Sequence, residues 1–267
     1  SFRRFMHSRK KNSDIPFDKI DSSLMMEYEQ YLKFHDICPN SSSYYMRNLR
    51  AIYNRAVEKE LVIQRYPFKY VYTGIDKTVK RAVSAEIIRQ IRDLDLSHTP
   101  SLEYARDLFM FSFYTRGMSF VDMAYLKKSN LQNGFLSYCR KKTNQRLLIK
   151  WEKPMQEIID KYDTSNTPYL LPIIKNILKD NRGQYKNAIR LMNTKLKTIG
   201  MLIGLPIPLT TYVARHAWAS IARSKNVQIS TISEAMGHDS ESTTRIYLAS
   251  LDTSIVDEAN SLIIQTL

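Results

Sequence analysis

Cysteine is scarce: Cys38 and Cys139 are the only two in 267 residues, far apart and without a metal-type spacing. A disulfide framework is thereby excluded and no zinc ligand set is offered, so a reduced, intracellular protein is expected. Long apolar runs are also missing. No stretch approaches the roughly 20 residues needed to cross a bilayer, and the basic opening SFRRFMHSRKK is not followed by a signal-peptide core. No membrane partner is expected. Repeats and low-complexity tracts are lacking, and so is a clustered carboxylate site, which argues against a metal-dependent nuclease. The chain begins on Ser1 and not on Met. It is therefore expected to be a fragment, and an arm-type DNA-binding domain is one candidate for what precedes it.

What is abundant is positive charge. Forty Lys and Arg stand against 26 Asp and Glu, a formal net charge of +14. Each phosphate neutralised by a basic side chain releases condensed counterions, so a polyanion, and nucleic acid first, is the expected partner. Hydrophobic residues at 43% suffice for proper cores. The length suits one large domain or two moderate ones.

Residues 21–34 (DSSLMMEYEQYLKF) put Leu24, Tyr28, Tyr31 and Leu32 on one helical stripe behind an Asp/Ser cap. Residues 41–60 repeat the logic, with Tyr45, Leu49, Ile52, Tyr53 and Ala56 inward and Arg47, Arg50 and Asn54 on the opposite face. That polar, basic face suits either a DNA groove or plain solvation. From Tyr66 to Arg81 periodicity fades among Pro67, Gly74, Lys77, Lys80 and Arg81, which reads as a linker with a basic end at 77–81. Two domains follow, 1–76 and 82–267. In the second, Ser84 caps a helix through about Asp95 and a strongly apolar helix runs from about Ser101 to Tyr114. Residues 134–151 read as a β-hairpin with a polar turn near Thr143 to Gln145. Helical patterns resume from about Gln184, then at 210–224, 228–236 and 241–248. In the tail, 251–267, Ile255, Ala259, Leu262 and Ile263 share an apolar stripe that must be buried somewhere.

The chemistry concentrates in TTYVARHAWAS (210–220) and ISEAMGHDSESTTRIYLA (232–249). Phosphoryl transfer needs a hydroxyl nucleophile, cationic donors around the non-bridging oxygens and an acid for the leaving oxygen. A tyrosine hydroxyl is a poor nucleophile while protonated, so arginines beside the phosphate matter. Taken one at a time, Tyr247 also reads as a core aromatic and His238 as a helix cap.

Together, Arg215, the pair Gly237-His238 and Tyr247, nine residues after that His, resemble the C-terminal signature of the tyrosine recombinase, or phage-type integrase, family, and Lys142-Thr143 resembles its Lys on a hairpin turn. The resemblance covers nearly the whole chain. It implies that Tyr247 attacks a scissile phosphate to give a 3′-phosphotyrosyl link and that Arg215 clamps non-bridging oxygens with its planar fork. It further implies that Lys142 protonates the departing 5′ oxygen and that His238 binds the phosphate or assists proton transfer.

Two positions depart from the family pattern. Tyr212 stands three residues before Arg215, where the family has His; it can hydrogen-bond but is a far weaker proton acceptor at neutral pH. His216 points about 100° away on a helix and reads as structural. In YTRGMSFVDMAYL, alignment of Gly117, Asp122 and Leu126 places Ser119 where the family's first Arg belongs. Arg116 is the expected substitute, reaching the phosphate from i−3 if the segment is helical; the alternative is a structural salt bridge from Arg116 to Asp122 or another carboxylate. The run RGMSFVDM resembles a variant among integrases and invertases of Bacteroides-type mobile elements, with Asp122 orienting the basic residues.

The fold expected from the resemblance is mainly α with a small β-hairpin or sheet, in two domains: a helical, SAM-like core-binding domain and a mixed catalytic domain ending in an exchange helix. The expected partner is double-stranded DNA, gripped mostly through phosphates, with Arg47, Arg50, Lys77, Lys80 and Arg81 contributing. A homotetramer on two DNA sites, accessory DNA-bending proteins and a bacterial cytoplasmic, nucleoid-associated setting are implied; no cofactor and no metal are. The rivals are a type IB topoisomerase-like activity and a catalytically inactive DNA-binding regulator of the same fold.

Overall fold

The computed structural model describes residues 1–9, 14–76, 82–248 and 264, apart from the side chains of residues 246 and 247. The architecture is mainly helical with one small antiparallel sheet, and the chain divides into two compact units, Ser1–Val79 and Lys80–Leu267. The basic positions Lys77, Lys80 and Arg81 and, apart from residue 264, the tail helix expected over 251–267 lie outside the described residues.

The first unit contains α1 (Phe2–Ser8), α2 (Ser22–Phe34) and α3 (Pro39–Glu58). The Asp21 carboxylate caps α2 by accepting the Leu24 N–H at 2.8 Å, which satisfies one of the donors a helix start leaves open. Leu24, Met25, Tyr28 and Leu32 are buried against Phe5, Met6, Met46 and Tyr53. The inward face of α3 differs from the sequence expectation: Ser42, Ser43, Met46, Tyr53 and Ala56 are buried, whereas Ile52 is exposed. The reason lies in the segment after the helix. It folds back over α3, so that Ser43 donates to the Gly74 carbonyl at 2.5 Å and Tyr53 to the Ile63 carbonyl at 3.2 Å. Phe68 and Val71 enter the core. Residues 66–76 are therefore packed structure and not linker.

In the second unit, α5 (Pro100–Tyr114) is buried on nearly every side, as its all-round apolar sequence requires. It contacts α4 (Ala85–Asp93), α7 (Lys153–Asp160), α8 (Asn181–Leu202) and α9 (Thr211–Ser224). Its one buried acid, Asp107, is held by Arg106 at 2.6 Å, Tyr162 at 2.8 Å and Lys161 at 3.0 Å, the saturation that a buried carboxylate needs. Strands β1 (Leu131–Gln132), β2 (Phe135–Cys139) and β3 (Arg146–Lys150) form a sheet in the order β1-β2-β3 with Tyr138 opposite Leu147. Leu136, Tyr138, Leu147 and Ile149 face the core at every second position. The short α6 (Phe120–Ala124) precedes the sheet; α10 (Ile229–Met236) and α11 (Glu241–Leu248) close the unit around Ala219, Ile232, Met236 and Leu248.

Candidate active site

Two helix ends build the site. The first closes α5. Gly117 N–H reaches the Ser112 carbonyl at 2.8 Å and Arg116 N–H the Phe113 carbonyl at 3.2 Å, a Schellman ending whose left-handed residue is Arg116, at φ 61°. Glycine normally takes that place, so an arginine there carries backbone strain. The premise that Arg116 and Ser119 share a helical face is thus overturned: a turn separates them. The Arg116 side chain, half-buried, forms no ion pair among the described residues. Asp122 is engaged elsewhere. Its carboxylate accepts the Ser119 hydroxyl at 2.6 Å and the Lys141 N–H at 2.8 Å, tying the start of α6 to the hairpin.

The second helix end closes α10. Gly237, at φ 61°, lets His238 N–H reach the Ser233 carbonyl and its own N–H reach the Glu234 carbonyl, again the Schellman pattern. This leaves the Met236 and Gly237 carbonyls as acceptors, and both are used by arginines. Arg215, on α9 and buried, donates Nη2 to Met236 O at 2.6 Å and Nη1 to Gly117 O at 2.8 Å, so its fork bridges the two helix ends. Arg140, at the end of β2 and also buried, donates to Gly237 O. The approach is close on both sides: a Cβ added at Gly117 would stand 2.6 Å from Arg215 Cα, and one at Gly237 would stand 3.2 Å from Arg140 Cδ.

His238 completes the cluster. Its Nε2 lies 3.0 Å from Arg215 Nη2, and its Nδ1 lies 2.7 Å from the buried Thr244 hydroxyl on α11. A guanidinium only donates, so Nε2 is the acceptor and the ring proton sits on Nδ1, pointing at Thr244. The neutral form is favoured for a second reason. Burial, then the charges of Arg215, Arg140 and Lys142, pull its pKa down to about 4.

Lys142 is exposed on the loop joining β2 and β3, beside Thr143, whose hydroxyl donates to Gly237 O at 3.2 Å. Tyr212 is half-exposed on α9 and packs edge-to-face on His216, ring centroids 4.6 Å apart. Tyr247 lies on α11, three residues after Thr244, and its side chain is outside what the structure describes. Arg215, His238 and Lys142 are therefore brought together, with Arg116 on the turn that holds Arg215. Arg47 and Arg50 belong to the first unit, where Arg50 donates to the Thr73 hydroxyl at 3.2 Å. Among the described residues no cluster of His, Cys, Asp or Glu could hold a metal ion, and no helix is long and apolar enough to cross a membrane.

Sequence reasoning missed Thr244 and Arg140. Thr244 carries a faint signal, one turn before Tyr247 and six residues after His238. Arg140 carries none, being one of three consecutive bases in RKKT; only its burial distinguishes it.

The family model described as "Phage integrase family" matches residues 86–254, and "Phage integrase SAM-like domain" matches residues 1–73. The tyrosine recombinase XerC of Rickettsia prowazekii (strain Madrid E) is 30% identical over 135 residues, half of this chain and 43% of that protein. The chain thus aligns with less than half the length of that relative. Two solved structures share the fold at low identity. A lambda integrase dimer bound to a COC′ core site superposes with a TM-score of 0.67 at 14% identity, over 92% of this chain and 85% of that one. The integrase of the transposon Tn1549, in complex with a circular intermediate DNA, gives 0.67 at 15%, over 98% and 91%.

Proposed function

The chain belongs to the phage integrase family of tyrosine recombinases, and from that premise we propose that it is a site-specific recombinase that cuts and rejoins double-stranded DNA through a 3′-phosphotyrosyl intermediate. The observation that carries the reading is the hydrogen-bonded line from Arg215 through His238 to Thr244. It joins the strongest anion-binding side chain of the site to the helix that bears Tyr247.

The proposed step is an in-line displacement. The Tyr247 oxygen bonds to phosphorus, the bond from phosphorus to the 5′ oxygen breaks, and Lys142 protonates the leaving oxygen. Arg215 is placed by the Gly117 and Met236 carbonyls, and its planar fork stabilises the phosphorane oxygens. As its fork turns to the phosphate, His238 Nε2 loses a donor and becomes the acceptor for the phenol proton. A neutral imidazole suits that task. Tyr212, exposed at the rim, hydrogen-bonds the phosphate in place of the family's histidine. Strand rejoining reverses the sequence with a new 5′ hydroxyl, so the bond energy is conserved and neither metal nor nucleotide is required.

Residues 1–76 serve in this reading as the helical core-binding domain, 77–81 as a basic linker and 82–267 as the catalytic domain. Arg47, Arg50, Lys77, Lys80 and Arg81 contact DNA phosphates. The cation missing at Ser119 is replaced from elsewhere in the pocket, and the strained Arg116 is the candidate that the sequence offers. Such strain persists where function requires it. The run RGMSFVDM resembles the variant pattern of Bacteroides-type element integrases and invertases, and the reading places the chain among them. Two protomers on each of two sites give a homotetramer during exchange, assisted by DNA-bending proteins, in the bacterial cytoplasm.

The test uses a pool of randomised duplexes carrying a nick, so that a cleaved strand end is lost by diffusion. Wild type should accumulate a covalent protein–DNA adduct resistant to denaturant, and Tyr247→Phe should form none. Absence of adduct with wild type, or its persistence in Tyr247→Phe, overturns the reading. With the selected site in hand, strand exchange between two duplexes distinguishes recombination from relaxation of supercoils.

A further inference from the structure

We propose that Arg140 is a phosphate-contacting catalytic residue, a second guanidinium that works beside Arg215 on the same scissile phosphate. The proposal rests on the recombinase reading above. The first ground is burial without neutralisation. Arg140 is 7% exposed, yet among the described residues it makes no ion pair. Its side chain donates to Gly237 O, while its Nε has no hydrogen-bond partner there. A guanidinium carries five N–H donors in a planar fork, and a buried cation without a counter-charge is destabilising. A protein tolerates that where an anion arrives to take the remaining donors.

The second ground is convergence. Arg140 and Arg215 come from different places, the loop that follows β2 and helix α9, and end on consecutive carbonyls, Gly237 O and Met236 O. Both charges act on His238, which lies between these groups and Thr244. The backbone of Arg140 is fixed for such a role. Its N–H donates to Gln145 O at 2.8 Å and its carbonyl accepts the Asn144 N–H at 2.8 Å, closing the loop that also carries Lys142. A phosphodiester seated on the Arg215 fork would then meet a second fork from the hairpin side, with the acid Lys142 two residues along the same loop.

The third ground is elimination at the neighbouring positions. Ser119 is committed to Asp122 and to capping α6, so nothing at that position supplies charge. Arg116 lies on a turn, half-exposed, and its backbone supports Arg215 through the Gly117 carbonyl next to it. Arg140 is the buried cation of the pocket that the mechanism otherwise leaves without work.

The experiment compares adduct formation on the selected nicked duplex with that on the same duplex carrying a neutral methylphosphonate at the scissile position. Arg140→Ala should slow adduct formation on the phosphate by about 100-fold or more, the usual loss when one preorganised charge donor is removed. On the methylphosphonate, which has no charge to stabilise, its rate should stay within about threefold of wild type. Arg140→Lys, which keeps charge but not the fork, should fall between. Equal losses on both duplexes would make Arg140 a positioning residue and overturn the proposal, as would an unchanged rate on the phosphate. If Arg140→Ala melts early or fails to retard the duplex in a gel, the same ratio read on Arg140→Lys and Arg140→Gln decides. Failure of wild type to form any adduct would instead overturn the recombinase reading itself.

Discussion

Arg215 Nη2 stands 3.0 Å from His238 Nε2, so a cation's donor and a neutral imidazole's acceptor are paired in a buried site. Protonating His238 would oppose two N–H donors across that distance. The sign of the pH dependence follows. A His whose folded pKa is about 4, against roughly 6.5 when unfolded, gives stability that is fully present above the unfolded value. It is lost as pH falls from there through about 4. Thermal melts of wild type should drop over that window, and His238→Asn should flatten the drop. An unchanged pH profile in the variant would show that His238 is not the group responsible.

Thr244 is the other end of the same ring. Thr244→Val keeps the volume but leaves the Nδ1 proton of His238 unpaired in a buried place, a cost of about 1–3 kcal/mol. Denaturant unfolding should detect that loss. Adduct formation should fall further than DNA affinity, because the variant loosens the helix that carries Tyr247 and leaves the charged surface intact. Equal falls in both would place Thr244 in general folding only.

The helices that the apolar periodicity marks, at 22–34, 85–93, 100–114, 211–224, 229–236 and 241–248, agree with the sequence within a residue or two, as does the hairpin. Burial of one face dictates these elements locally. The inward set on α3 was not fully legible: Ile52 is exposed, and part of the core is supplied by Phe68 and Val71 from a returning segment that carries no pattern of its own. At the site, Arg215 and His238 were singled out by the resemblance to the family's signature. The role of Ser119 was not, because capping a helix and seating a catalytic arginine occupy the same position in the motif. Arg140 was hidden by Lys141 and Lys142, three bases whose fates differ only in the folded hairpin: one buried, one with its ammonium 3.5 Å from the Tyr125 ring centroid, one exposed on the loop.

Gly117→Ala tests how tightly the first turn grips Arg215. The position has φ 73°, and the new methyl would stand 2.6 Å from the Arg215 backbone. Strain of this kind costs on the order of 1–3 kcal/mol before any steric clash is added. The variant should melt well below wild type, and what remains folded should be impaired in adduct formation because the Gly117 carbonyl shifts away from Nη1. A variant as stable and active as wild type would show the contact to be slack.

For the DNA interface, the expected signature is salt dependence. If Arg50 contacts a phosphate, Arg50→Ala should reduce the slope of log affinity against log salt by about one. Affinity for selected and random duplexes should fall alike. A change in sequence preference with an unaltered slope would instead make Arg50 a base-reading residue.

Arg116 offers the sharpest separation of stability from function. Its left-handed backbone is the conformation that glycine adopts without penalty. Arg116→Gly should therefore raise stability by about 1 kcal/mol through relief of that strain, less what glycine adds to the entropy of the unfolded chain. Arg116→Ala keeps the strain and removes only the guanidinium. If the charge acts on the phosphate, both variants lose adduct formation although only one gains stability, and the loss disappears on the methylphosphonate duplex. If the side chain merely sits at the rim, Arg116→Gly gains stability without loss of rate. The buried Arg140 would then be left as the cation that answers for Ser119.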